Sequence, residues 1–592
     1  MKRAITGPLI GNLPLVALWM IALMAGATGD IIHMGDLEHL SHSLALGLLR
    51  IFACSAGTSL VIAWVVAAIA RSKYARWIAA FLAFCIICFY VFLRLNYGTR
   101  LTPEIVTFIS ETNHGEAIDY LVTYLYPLLK SPVLPIFILL MLAWAWIDGW
   151  WHRKKKDLDS SRLVIKATNL VAGISVVGAA CAPMTWSLIS SMSDKENSAQ
   201  GSSFALDAVS NVVYCWQQLH VTDELTNRSV VVVRQALAEP CLMSNDAPTV
   251  VLVIGESYIK AHATIYGYPL PTTPDMSREL KDGNLIAFTD VITPYNNTNM
   301  SIRHLMSLNS ISDGEQWQDL PLFPALFKRA GYQVDIWDNQ RELLSGSSFT
   351  RGLNGFIYHP DLVSLCYSNV NARNYDYDES LIEDYAKSDA NTTQRPRLVI
   401  FHLRGQHLRA LNRYPHDKTF TRFTSHDYDY RTEPFLDEGM KQKIAHYDNA
   451  TLYNDHVLSR VFKAFAATDA VVVYLSDHGD EVYDFRPSIG RRSNAEDTVK
   501  MVHYQYDTPF VVWCSPAFKE KHEEQFRRIC SAANLPMMTD GVGQLLMGLA
   551  RLETRYYRLS HDALSDEYQP ARRLINGQVD YDGLVKPHNQ AR

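Results

Sequence analysis

Hydrophobic positions follow two different patterns along this chain. In the first third they form long uncharged stretches at 4–29, 51–70, 77–93, 131–147 and 167–193. A bilayer core about 30 Å thick needs about 20 mostly apolar residues as a helix, and about 17 at least, so the pattern predicts five membrane spans. After Asp194 no such stretch recurs. Short apolar runs take over at 250–254, 285–291, 332–337, 398–402, 470–475 and 509–513, separated by helix-like segments such as 322–330, 380–387 and 441–467. Strands alternating with helices predict an α/β domain whose parallel or mostly parallel sheet is covered on both faces. Residues 417–440 are polar and aromatic without a period and read as a long surface loop. The predicted organisation is a membrane domain at 1–193, a linker at 194–248 and a catalytic α/β domain at 249–592.

Charge orients this plan. Lys2 and Arg3 precede the first span, Arg71, Lys73 and Arg76 join the second to the third, and Arg153 to Lys156 with Arg162 join the fourth to the fifth. Basic connectors stay in the cytoplasm. The connectors carrying Asp30, Asp36 and Glu38, and Glu104, Glu111, Glu116 and Asp119, then lie outside, and so does everything after the fifth span. A cleaved signal peptide fits the first stretch less well, because four further spans follow it. A net charge of −6 gives no sign of nucleic-acid binding. Nine widely spaced cysteines do not make a dense disulfide framework.

The chemistry concentrates at two strand ends. The run 470–475 leads directly into Ser476-Asp477-His478-Gly479-Asp480, and the run 250–254 into Gly255-Glu256-Ser257. Open α/β sheets bind ligands at the carboxyl edge of their strands, so neighbouring strands would bring Glu256, Asp477 and His478 together as ligands of a divalent metal. A nucleophile is expected near Thr298, where Ile302, Leu305 and Met306 have helical spacing and the helix amino terminus favours a phosphoryl anion. Metal ligation would activate the Thr298 hydroxyl; simple capping of the helix is the alternative. Ser257, next to a strand-end ligand, is expected to point away from the metal.

These motifs, in this order, resemble the membrane-bound phosphoethanolamine transferases of the alkaline phosphatase superfamily. The resemblance also takes in Tyr266-Gly267-Tyr268, Thr272-Thr273-Pro274, Asp338-Asn339-Gln340, the 402–407 segment and Tyr447-Asp448-Asn449. It implies an alkaline-phosphatase-like soluble domain behind five spans, in a multi-pass protein of the bacterial inner membrane with its catalytic domain in the periplasm. It also implies Glu256, Thr298, Asp477 and His478 as ligands of one zinc ion, with a second zinc or manganese as alternatives, and Thr298 as the residue that becomes phosphorylated. His407, Gln340, Asn339 and Asp480 fall at substrate-binding positions. The chain departs from the family where Arg341-Glu342-Leu343-Leu344 replaces a lysine segment and Gly490-Arg491-Arg492 replaces a histidine, so His503 or Arg491 is expected to supply the missing contact. The implied donor is phosphatidylethanolamine, and the acceptor is lipid A, lipopolysaccharide core or another envelope glycan, with the protein acting as a monomer. A phosphoglycerol transferase and a non-catalytic envelope scaffold or sensor are the competing readings. No Cys-x-Pro-x-Arg or Ser-x-Pro-x-Arg sulfatase nucleophile stands near Thr298.

Overall fold

The structure is a computed structural model that describes residues 12–31, 42–97, 101, 133–158, 208–340, 356–392, 395–407, 409–491 and 499–589. The chain divides into two compact units, one reaching to Asp223 and the other beginning at Glu224. The first unit contains helices α1 (Leu13–Ile31), α2 (His42–Ile69), α3 (Lys73–Tyr97) and α4 (Val133–Leu158). The division falls inside α5 (Ala208–Ala236), a helix in the segment read from sequence as a linker.

Among the described residues, Lys73–Leu93 and Leu134–Lys154 are long and apolar enough to cross a membrane, while Leu13–Ala25 and Ser55–Ile69 are shorter apolar helices. The fifth predicted span, 167–193, lies outside the described residues. Two polar contacts link helices within this unit. The Trp19 indole donates to Ala79 O at 3.1 Å, and the Arg76 guanidinium forks onto the Asp148 carboxylate at 3.0 and 3.1 Å. Pairing of this kind is how ionisable groups are accommodated among apolar helices.

The second unit is built on one sheet. Its strands are β1 (Thr249–Gly255), β2 (Leu285–Phe288), β3 (Gln333–Asp338), β4 (Asn369–Val370), β5 (Arg397–His402), β6 (Ala470–Ser476) and β7 (Phe510–Cys514). Their spatial order is β2-β7-β6-β1-β5-β3-β4. β7 pairs antiparallel with both its neighbours, and every other pairing is parallel, so the sheet is mixed and mostly parallel.

All seven residues of β1 and all seven of β6 are buried, as β-branched runs covered on both faces should be. Alternation sorts their side chains. Val250, Leu252, Ile254, Val471, Val473 and Leu475 enter one core, while Val251, Val253, Val472 and Tyr474 enter the other. The second core is roofed by α7, the 28-residue helix Glu438–Phe465, which starts where the Asp437 side chain accepts from Met440 N. Residues 417–437 are loop with a short 3-10 turn at Ser425–Tyr428, whereas the last three residues of the expected 417–440 loop form the first turn of α7, which the Asp437 cap starts.

Candidate metal centre

The register of β1 and β6 makes the site. Gly255 is paired with Ser476, and Asp477 N donates to Gly255 O at 3.1 Å, so Glu256 and Asp477-His478 leave the same sheet edge side by side. α6, residues Thr298–Met306, then places Thr298 over them. Asn297 is the residue that caps α6, accepting from Met300 N at 3.0 Å, which leaves the Thr298 hydroxyl free for other partners. That hydroxyl lies 3.1 Å from Glu256 Oε2 and 3.1 Å from His478 Nε2.

Ligand atoms of Glu256, Asp477 and His478, all buried, lie within 4.8 Å of one another. Zinc binds N and O donors at about 2.0–2.2 Å in a tetrahedron, whose edges are then about 3.3–3.6 Å. The observed separations are close to that: 3.3 Å from His478 Nε2 to Glu256 Oε1 and 3.1 Å from His478 Nε2 to Asp477 Oδ2. Asp477 Oδ2 is buried and takes no hydrogen bond, which is the state of an oxygen built for a cation. His478 Nδ1 faces Gly479 O at 2.7 Å, an arrangement that turns Nε2 toward the carboxylates. The residues present therefore fit a divalent ion of the zinc class.

The electrostatics agree. Burial opposes ionisation of Glu256, but His478, His407 and Arg491 hold its carboxyl well below the usual range. Asp477 is raised by burial and by the neighbouring Glu256 charge. Burial and Arg491 would lower His478, but Asp477 and Glu256 carry it up to about 9. The cluster thus calls for positive charge.

Backbone placement is demanding around these groups. Ser257 sits at φ +57°, in the left-handed region that non-glycine residues seldom occupy, and such strain clusters at functional sites. Its hydroxyl donates to Glu256 Oε1 at 2.7 Å, so Ser257 turns toward the centre and not away from it as the sequence suggested. The reason is the left-handed turn, which redirects the side chain from the alternation a strand would impose. Gly405, at φ +49°, rests on Glu256 so closely that a Cβ would stand 2.8 Å from that residue's backbone N and O.

The other sequence-derived candidates separate into two groups. Gln340 donates to Leu403 O at 2.7 Å and reaches Glu256 Oε2 at 3.3 Å. Arg491 presses its guanidinium on the His478 ring and donates to Asn296 O at 2.9 Å. His407 faces the same charges, and burial lowers it to about 3. Asp480 is buried and raised by burial, with Oδ1 accepting from Glu481 N at 2.8 Å. Asn339, in contrast, turns its amide to Asp378 and to Tyr375 N, bracing the loop. His503 is half exposed and pairs with Asp507 at 2.9 Å, with no hydrogen bond to the cluster. Its helix, Val499–Gln505, presents it elsewhere. His402, read from sequence only as part of an anion-binding edge with Arg404 and Arg409, has a supporting role: it meets Gln340 Nε2 at 3.1 Å and Asp338 at 3.1 Å and is carried up to about 9 by Asp338 against the effect of burial.

Residues 248–535 match the family model described as Sulfatase. The chain is similar to the phosphoethanolamine transferase EptC of Escherichia coli O18:K1:H7 (strain RS218 / NMEC), at 28% identity over 355 residues that cover 57% of this chain and 58% of the relative. It is similar to the phosphoethanolamine transferase EptA of Helicobacter pylori at 30% identity over 287 residues, 46% of this chain and 49% of the relative. The chain therefore spans about half the length of these curated relatives. Among solved structures, the integral membrane lipooligosaccharide phosphoethanolamine transferase A of Neisseria meningitidis matches with a TM-score of 0.60 at 16% identity, over 93% of this chain and 98% of that one, which shows a common fold.

Proposed function

We propose that this protein, which carries a sulfatase-family domain at residues 248–535, is a zinc-dependent phosphoethanolamine transferase of the bacterial inner membrane. The observation that carries this reading is the Thr298 hydroxyl, held at a helix amino terminus 3.1 Å from both Glu256 and His478 in a buried cluster suited to a divalent ion. The names of its curated relatives support the same activity.

Phosphatidylethanolamine is the donor. Thr298 Oγ1 attacks its phosphorus, the bond from phosphorus to the glycerol oxygen breaks, and the proton lost by Thr298 ends on the departing diacylglycerol. A hydroxyl or phosphate oxygen of a lipid A, lipopolysaccharide-core or other envelope glycan acceptor then attacks phospho-Thr298, and the threonine hydroxyl is restored. Glu256, Asp477 and His478 would hold a zinc ion, which would supply Lewis acidity to the Thr298 hydroxyl and to the phosphoryl group. The amino end of α6 directs backbone N–H groups toward the same anion. Arg491, His407 and Gln340 line its approach, with Arg491 bringing the fixed positive charge that suits a phosphate. Five spans keep the protein in the membrane that contains its donor, and residues beyond 194 lie in the periplasm, where the protein works as a monomer.

Incubating the full chain with phosphatidylethanolamine and mapping its peptides tests the reading. An adduct on Thr298, with diacylglycerol released even without acceptor, is the expected result. Acceptor modification without any Thr298 adduct would replace double displacement with direct attack by the acceptor.

A further inference from the structure

A second cluster of two carboxylates and one histidine lies behind the metal edge. His262, 2% exposed, places Nδ1 2.5 Å from Asp448 Oδ1 and Nε2 2.8 Å from Asp484 Oδ1. Each neutral tautomer would turn one bare nitrogen toward a carboxylate oxygen, so the geometry calls for the imidazolium, with both nitrogens donating. The remaining oxygens are occupied. Asp448 Oδ2 accepts from the hydroxyls of Tyr268 at 2.7 Å and Tyr428 at 2.5 Å, and Asp484 Oδ2 accepts from Val482 N at 2.8 Å. The Tyr268 ring stacks on His262 at 4.7 Å.

The three residues come from the segments that matter most. His262 lies six residues beyond Glu256, and Asp484 six residues beyond His478. Asp448 projects from α7 beside Tyr447, whose hydroxyl donates to Ser257 O at 2.6 Å and accepts from Ile259 N at 2.7 Å. The next residue, Asn449, accepts from Arg422 N and Phe423 N at 2.9 and 2.8 Å and so anchors the long loop. Consecutive residues of one helix therefore hold the turn after β1 and the loop over the second core, and through His262 the segment after β6. Backbone hydrogen bonding between the two segments ends with Asp477 N on Gly255 O, and beyond it side chains tie them, as where Asp477 Oδ1 accepts from Ser257 N at 3.2 Å.

We propose that the Asp448–His262–Asp484 clip is a positioning device of the metal centre: it fixes the spacing between Glu256 and the Asp477-His478 pair, and thereby the affinity for the metal, without touching the metal or the substrate. Without the imidazolium, Asp448 and Asp484 would be left as buried, uncompensated like charges on either side of residue 262, which would drive the two segments apart. Outer-shell partners of metal ligands typically govern affinity by about 10–100-fold.

The inference rests on Glu256, Asp477 and His478 binding zinc. The test is zinc affinity of the full-length protein, measured by competition with a chelator, alongside thermal unfolding of the same samples. His262→Gln is expected to weaken zinc binding about tenfold. Adding Asp484→Asn to that variant removes the excess charge and gives the glutamine oxygen a donor, and is expected to restore most of the affinity. Asp455→Asn is the control for a purely structural effect, since Asp455 caps the helix Pro274–Lys281 through Asp275 N and Met276 N and meets no ligand. It should lower the melting temperature and leave zinc affinity unchanged. Unaltered zinc affinity in His262→Gln, failure of the double variant to recover, or an equal loss in Asp455→Asn would each overturn the clip. Full zinc affinity in Glu256→Ala would instead overturn the underlying metal assignment.

Discussion

The strand-end cluster and the clip contain the same inventory, two carboxylates and one imidazole, all deeply buried, yet they are built for opposite purposes. At the strand ends the ligand atoms converge and one carboxylate oxygen, Asp477 Oδ2, takes no hydrogen bond. In the clip, His262 stands between Asp448 and Asp484, and tyrosine hydroxyls and a backbone amide occupy the oxygens it leaves. The first cluster is open to a cation, and the second has closed around its own. Composition alone does not make a metal site. The two clusters differ in the convergence of their ligand atoms and in the unmet oxygen of Asp477.

Several substitutions would break or sharpen that contrast. The largest effect is expected at Thr298, which belongs to the open cluster and has no counterpart in the closed one. Thr298→Ala should lower transfer by about 10³-fold or more, as loss of a nucleophile does, while zinc content measured by atomic absorption stays near that of the parent. Next come the ligands. Glu256→Ala, Asp477→Ala and His478→Ala should each weaken zinc binding by more than the roughly 10–100-fold of outer-shell changes, whereas removing one carboxylate from the clip, as in Asp484→Asn, should fall within that range. A full loss of zinc in Asp484→Asn would erase the distinction between the clusters.

Proton linkage gives a smaller, signed effect. Burial opposes charging of His262, but Asp448 and Asp484 carry it up to about 10. A pKa raised on folding stabilises fully below the unfolded value of about 6.5, and that contribution is lost as pH rises through the folded value. The urea midpoint of the parent should therefore fall between about pH 6.5 and pH 10, relative to that of His262→Gln, whose side chain does not titrate. Parallel curves for the two proteins would mean that the imidazolium adds nothing to stability. The smallest effect is expected from Ser257→Ala, which removes the hydroxyl that donates to Glu256 Oε1. Loss of one hydrogen bond to a charged group costs about 1.5–3 kcal/mol, and a compensating release of the φ +57° turn is not expected, since alanine is strained there too. Calorimetric unfolding of the two proteins would measure it.

The reach of the sequence follows from what each feature leaves in it. β1 and β6 were legible because strands buried on both faces are unbroken apolar runs, and the meeting of Glu256 with Asp477-His478 because these residues follow those runs directly at one sheet edge. β4, only Asn369–Val370, is too short to leave a pattern. The reversed direction of β7 has no hydropathy signature, since either direction buries the same side chains. His503 and Asn339 were named from the resemblance, which says nothing of the face each side chain takes here. His262, Asp448 and Asp484 were invisible as a group because they meet only through strand order and the path of α7.

The pairing of strand ends also sets a timetable. Ser257 and Asp477, hydrogen-bonded in the finished domain, are 220 residues apart in the chain, and the loop bearing Gly405 must lie against Glu256 in between. During synthesis Glu256 emerges early and waits through β2, β3, β4 and β5 before Asp477 and His478 are made. An ion that needs all three cannot guide the early sheet. A site made of all three ligand atoms is complete only once β6 has joined β1 in the sheet.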